Sequence, residues 1–172
     1  MLARRATLLV LMLLLLLACK KFGRAADRDI EATDHRSRMR VPGSWSEQKD
    51  LNDKADLQVG NRASSEFLIV LTEPKVDFAS MDAPRYLEHH LSKLETALSG
   101  ARRVPTTLRN LGPYPAAQSE LHGTLENTNL IYLVTAVEGP KNFHAIIAWT
   151  TKGRWSEARP TFEKMLQSFQ EL

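Results

Sequence analysis

Apolar and polar residues follow distinct rhythms along this chain, and each rhythm predicts an element. Between Asp82 and Gly100, leucines recur at 87, 91, 94 and 98, spacings of four, three and four that fall on one face of a helix. Asp82 is placed to cap the N-terminus, Pro84 suits the first turn, and Gly100 ends the pattern. A second helix is predicted at the C-terminus, where Phe162, Met165, Leu166 and Phe169 form one stripe. From Ala117 to Glu126 the period changes to two: Ala117, Ser119, Leu121, Gly123 and Leu125 alternate with Gln118, Glu120, His122, Thr124 and Glu126. That predicts a strand with one buried and one wet face. The apolar run EFLIVLTEP, 66–74, predicts a strand buried on both faces. LIYLVTAVE and FHAIIAWTT follow turns at Asn127-Thr128-Asn129 and Gly139-Pro140-Lys141-Asn142, so two consecutive hairpins make an antiparallel meander. Shorter strands are expected in VPGSWSEQ and ADLQVGN, broken at Pro42-Gly43 and Gly60-Asn61. Together these elements predict an α+β fold, an antiparallel β-sheet flanked by a mid-chain and a C-terminal amphipathic helix, with no internal repeat.

The N-terminus has a different character. Arg4 and Arg5 precede an apolar run, Ala6–Ala18, that ends at Cys19, the only cysteine of the chain. Thirteen residues at 1.5 Å each give a helix of about 20 Å, short of a hydrocarbon core of about 30 Å. The layout is that of a secretory signal peptide, removed before folding. Lys20 to Arg40 is polar and mixed in charge, without a sustained apolar period, and is expected to be a solvated tether. The expected organisation is therefore a signal peptide over 1–18, a modified cysteine and tether over 19–40, and an α+β domain over 41–172.

Charge follows the same division. The net +3 of the 172 residues is concentrated near the start: residues 19–40 hold seven Lys or Arg against four Asp or Glu, and 41–172 hold 14 against 16. The body has no Lys/Arg cluster larger than Arg102-Arg103, so it lacks the basic face that tracks phosphates, and nucleic acid is not expected as a partner.

Two resemblances bear on function. Leu16-Leu17-Ala18-Cys19 resembles the lipobox of bacterial lipoproteins, with Leu17 where Ala, Ser, Thr or Val is commoner. That resemblance implies lipidation of Cys19, attachment to the inner or outer membrane through the lipid, and a domain facing the periplasm. Several acyl chains at about 0.8 kcal/mol per buried methylene hold where one is marginal. An ordinary signal peptide cut near Gly23 to Ala26, or an uncleaved signal anchor, stays open at this stage. The body, through VPGSW, EFLIVL and its leucine helix, GPYPAAQSE, FHAIIAWTT and MLQSF, resembles the PsbP/Mog-like superfamily, which includes DcrB-like lipoproteins. The resemblance spans about Val41 to Phe169 and implies a non-catalytic domain that binds other proteins.

Residue chemistry points the same way. A lipidated Cys19 leaves no thiol for a disulfide, a nucleophile or a metal. His89 and His90 are helix neighbours about 100° apart, so they cannot share an ion. Pairing Glu126 with Asn129 sets His122 opposite Leu133, and pairing Glu138 with Phe143 sets His144 opposite Val137. The last two histidines are then two strands and four residues apart, about 16 Å. No metal or other cofactor is expected. No GXSXG elbow and no glycine-rich phosphate loop is present. The candidate partner-binding residues are Tyr114, in the stiff Pro113-Tyr114-Pro115 loop, and Arg154 and Trp155, which join a cation to an indole. Tyr114 and Trp155 also suit a simpler role as covers of the core. The expected function is a lipid-anchored, non-catalytic envelope module for protein binding or assembly. The alternative is a small periplasmic enzyme or ligand carrier with a cleft between sheet and helix.

Overall fold

A computed structural model describes residues 25–172; the expected signal peptide and Cys19 lie outside the described residues. The centre is an eight-stranded antiparallel sheet. Its strands are β3 (Ser46–Glu47), β4 (Leu57–Asn61), β5 (Glu66–Pro74), β6 (Ser99–Arg103), β7 (Thr107–Leu111), β8 (Tyr114–Leu125), β9 (Thr128–Glu138) and β10 (Asn142–Thr151). They lie in the order β3-β4-β5-β10-β9-β8-β6, and β7 also pairs with β8. The helices are α1 (Ala83–Thr96) and α2 (Trp155–Gln167). A small second sheet joins β1 (Arg28–Glu31), β2 (Ser37–Val41) and β11 (Gln170–Glu171) in the order β1-β2-β11.

Alternation along the strands sorts the core into two layers. Ile69 of β5 points into a cluster with Tyr86, Leu87, Leu91, Leu121, Val134 and Phe143, so α1 covers that face. Its neighbours Leu68 and Val70 point into the other cluster, with Leu133, Ile146, Phe162, Met165 and Leu166 of α2 and with Ile30, Met39 and Val41 of the small sheet. EFLIVL is thus buried on both faces, as its composition predicts. Asp82 caps α1, accepting from the Arg85 amide at 2.9 Å, and Pro84 sits in the first turn.

Three expectations are corrected. The tether does not extend to Arg40. RDIE and SRMRV are strands, with Ile30, Met39 and Val41 buried, while Arg38 and Arg40 face outward. Their apolar positions are too few to stand out in the sequence, and β11, which completes the sheet, is more than 120 residues downstream. The polar face of β8 is not wet along its first half, where side chains of α2 reach it, although His122 and Thr124 stay half-buried and Glu126 exposed. Gln118 is buried and donates to Thr135 Oγ1 at 2.9 Å, while Glu120 meets Arg159 at 3.2 Å. Finally, the β8–β9 hairpin turns at Glu126-Asn127, whose φ values of 46° and 65° suit a two-residue type I′ turn. This pairs His122 with Ile131, not Leu133. The β9–β10 register, His144 with Val137, is as predicted. The two histidines are therefore two strands and six residues apart, about 22 Å.

Candidate functional site

The expected site residues do not converge. Arg154 follows β10 and reaches Glu66 at the start of β5, with Nη2 to Oε1 at 3.3 Å. Tyr114 begins β8 at the opposite end of the strands and packs edge-on against Phe169, ring centres 6.3 Å apart. The ten residues of β10 separate these two ends by about 30 Å. Trp155 opens α2 and rests on Phe162 at 6.1 Å, half-buried against the core, and Tyr114 is half-buried in the same way.

Along one flank of α2, from Arg154 to Lys164, the helix and the sheet border a groove of about 440 Å³. Glu157, Thr161 and Lys164 project from α2, Asn61 and Glu66 from β4 and β5, and the floor includes Trp45, only 3% exposed. The first described residues, Ala25 and Asp27, complete its rim. Its charges are matched. Arg154 lies 3.3 Å from Glu66 and 3.1 Å from Glu157, and Lys164 donates to Asp27 at 2.7 Å. That hydrogen bond holds the Asp27 carboxyl below its ordinary range. Gly43 is required here by close approach, since a β-carbon on it would sit 2.0 Å from the Ala25 carbonyl oxygen. Sequence reasoning could find Arg154 from its residue type beside a tryptophan. It could not find Asp27, Glu66 or Lys164, which come from distant segments.

Three further titratable groups, Tyr86, His90 and His144, are buried in the fold. On the α1 side, Tyr86 donates to Glu73 Oε2 at 2.5 Å, and burial, reinforced by that carboxylate, raises the phenol. His90 Nε2 is 3.5 Å from the same oxygen, and burial lowers the imidazole to about 4. On the α2 side, His144 is fully buried. Thr72 Oγ1 lies 3.2 Å from its Nδ1, and Glu171 Oε2 lies 3.7 Å from its Nε2. Burial lowers this imidazole too. Glu171 Oε1 accepts from Asn142 Nδ2 at 2.6 Å and from the Lys141 amide at 3.2 Å, which ties β11 to the β9–β10 turn. The two imidazoles and the Tyr86 phenol are buried and hold segments together, while Glu73 keeps 36% of its side chain exposed. Among the described residues, no three His, Cys, Asp or Glu side chains are grouped to hold a metal ion.

Comparison with known proteins places the fold. No family model matches the sequence, and no curated protein matches it. Solved structures do match. Cyanobacterial PsbP (CyanoP) from Synechocystis aligns with a TM-score of 0.65 at 14% identity, over 90% of this chain and 97% of its own. LpqN, involved in cell envelope biogenesis of Mycobacterium tuberculosis, aligns at 0.60 and 10% identity over 84% and 90%. The Ran-binding protein Mog1p of Saccharomyces cerevisiae aligns at 0.55 and 13% identity over 84% and 94%. The chain therefore has the PsbP/Mog-like α+β fold that its core pattern resembles. Fold likeness at such identities assigns no activity.

Proposed function

We propose that this chain is an envelope lipoprotein. In this reading lipid on Cys19 attaches it to a bacterial membrane, and its periplasm-facing domain binds a protein partner or assists assembly without catalysis. The observation that carries the reading is the sequence Ala6–Ala18 followed at once by the sole cysteine in Leu16-Leu17-Ala18-Cys19. The described residues include no helix long and apolar enough to cross a membrane. The likeness to LpqN, an envelope-biogenesis protein, supports the location.

Non-catalytic work is supported by the state of the charged groups. The cleft between sheet and helix that a small enzyme or carrier needs is present as the groove, yet each of its carboxylates already faces an Arg or Lys nitrogen within 3.3 Å. In our reading Tyr114 forms one docking patch and Arg154 with Trp155 a separate one. Cells grown with a labelled fatty acid and carrying a photo-reactive residue at Tyr114 test both parts. The expected result is label in the wild type, none in Cys19→Ser, and one defined crosslinked protein. Equal labelling of the two chains refutes the anchor, and crosslinking no stronger than from the exposed position Leu108 refutes the Tyr114 patch.

A further inference from the structure

Strand β6 pairs with β8 through a bulge, and the bulge decides which side chain it presents. Ser99 lies opposite Thr124, yet Arg102 and not Ala101 lies opposite His122, so β6 carries one residue more than β8 between these pairs. Gly100 absorbs the extra residue at φ 62°, left-handed backbone that glycine takes without strain. A regular ladder would set the methyl of Ala101 beside His122; the bulge sets a guanidinium there instead. Arg102 Nη2 lies 3.3 Å from His122 Nδ1, and His122 Nε2 lies 3.2 Å from Glu120 Oε2. An Nε2–H donated to Glu120 leaves Nδ1 to accept from Arg102, which steadies the guanidinium through one nitrogen and leaves its other N–H groups for a ligand.

Beside this arginine is a pocket of about 300 Å³ that gathers donors. Ser99 and Arg102 of β6, His122 and Thr124 of β8, Asn129 of β9 and Lys152 just after β10 line it. Thr124 Oγ1 donates to Asn129 Oδ1 at 2.9 Å, so the Asn129 amide keeps both of its N–H donors. Among the described residues no carboxylate lines the pocket, and neither Arg102 nor Lys152 has a carboxylate oxygen within 4.0 Å. Glu120, behind His122, already meets Arg159 at 3.2 Å, and Arg103, next along β6, is paired with Glu88 and Glu95 on the α1 side. Two cations are thus left facing one small polar cavity.

From this geometry we infer that the pocket binds a soluble phosphate monoester. Such a group carries about two negative charges at neutral pH, which Arg102 and Lys152 match, whereas a carboxylate or a lipid phosphodiester carries one. Arg102 presents a planar fork to two oxygens, Lys152 acts as a point charge, and the Asn129 amide and Ser99 hydroxyl supply neutral donors. The cavity is at the small end for ligand sites and suits one phosphate with a short substituent. The inference is independent of the lipid anchor, because every residue in it belongs to the folded body.

Calorimetric titration of the full chain with glycerol phosphate, in non-ionic detergent at low salt, tests the site. The expected result is saturable one-to-one binding, weakened about tenfold in Arg102→Gln and likewise in Lys152→Gln, and unchanged in Lys93→Gln on α1. All three side chains are exposed, so the variants should melt with the wild type. No saturable binding, binding that neither pocket variant weakens, or equal weakening by Lys93→Gln overturns the site. A parallel titration uses detergent micelles doped with phosphatidylglycerol, which should produce no more response than micelles doped with phosphatidylcholine. A phosphatidylglycerol response that exceeds that of glycerol phosphate and is lost in Arg102→Gln overturns the soluble monoester in favour of a lipid headgroup.

Discussion

At the scale of single residues, the buried imidazoles are where protonation acts on stability. His90 is 5% exposed, and burial pulls its folded value to about 4 from an ordinary 6.5. Glu73, 3.5 Å away, opposes the shift without reversing it. Between those two values the unfolded chain binds a proton that the folded chain refuses, so stability rises with pH across that window. The contribution is whole above about 6.5 and is lost as pH falls toward 4, with a size on the order of 3 kcal/mol. Urea unfolding of the wild type at pH 7 and pH 5 should show the decline. His90→Leu should flatten the part due to this ring, while His144, lowered in the same sense, keeps a smaller slope. An unchanged slope in His90→Leu refutes the assignment.

At the scale of elements, what could be read in the sequence was what local spacing determines. The Asp82 cap, the β9–β10 hairpin and the leucines at 87, 91 and 94 of α1 depend on residues within a few positions of one another and are found, whereas α1 ends at Thr96, so Leu98 lies beyond it and Gly100, expected to stop the helix, belongs to β6. The cap makes a direct prediction: Asp82→Ala frees the Arg85 amide and should lower stability by about 1 kcal/mol in chemical denaturation, with Asp82→Asn recovering most of it. What escaped was set by partners far along the chain. Strand β8 has the alternation of a half-wet strand, and only the arrival of α2, more than 30 residues later, encloses Gln118 and Glu120. In β2, only Met39 and Val41 are apolar, and its charged positions look like linker until β1 and β11 flank it. The candidate site divides in the same way. Arg154 was readable by its type, whereas Glu66 and Asp27 join it across 88 residues of sequence in one case and through Lys164 of α2 in the other. The β8–β9 register slipped because Glu126, an unlikely residue for a positive φ by composition, takes the place in the turn where Asn or Gly is usual.

At the scale of the whole molecule, the point where the folded body begins decides how well its core is covered. A chain starting at Val41 keeps both helices and the large sheet but loses β1 and most of β2. It thereby uncovers the α2-side core, where Ile30, Ala32 and Met39 are 8%, 1% and 1% exposed. Losing the burial of Ile30 and Met39 forfeits about 1.5–3 kcal/mol each, before counting the surfaces of Phe169 and Met165 that they cover. Domains of this size are stable by only about 5–15 kcal/mol in total. The truncated chain should therefore melt far below the chain starting at Ala25, or fail to fold cooperatively, which circular dichroism on heating will show. A chain from Ala25 should match the full protein, because Asp27 and the segment over Gly43 are kept. Equal melting of the two truncated chains would mean that the small sheet is an appendage.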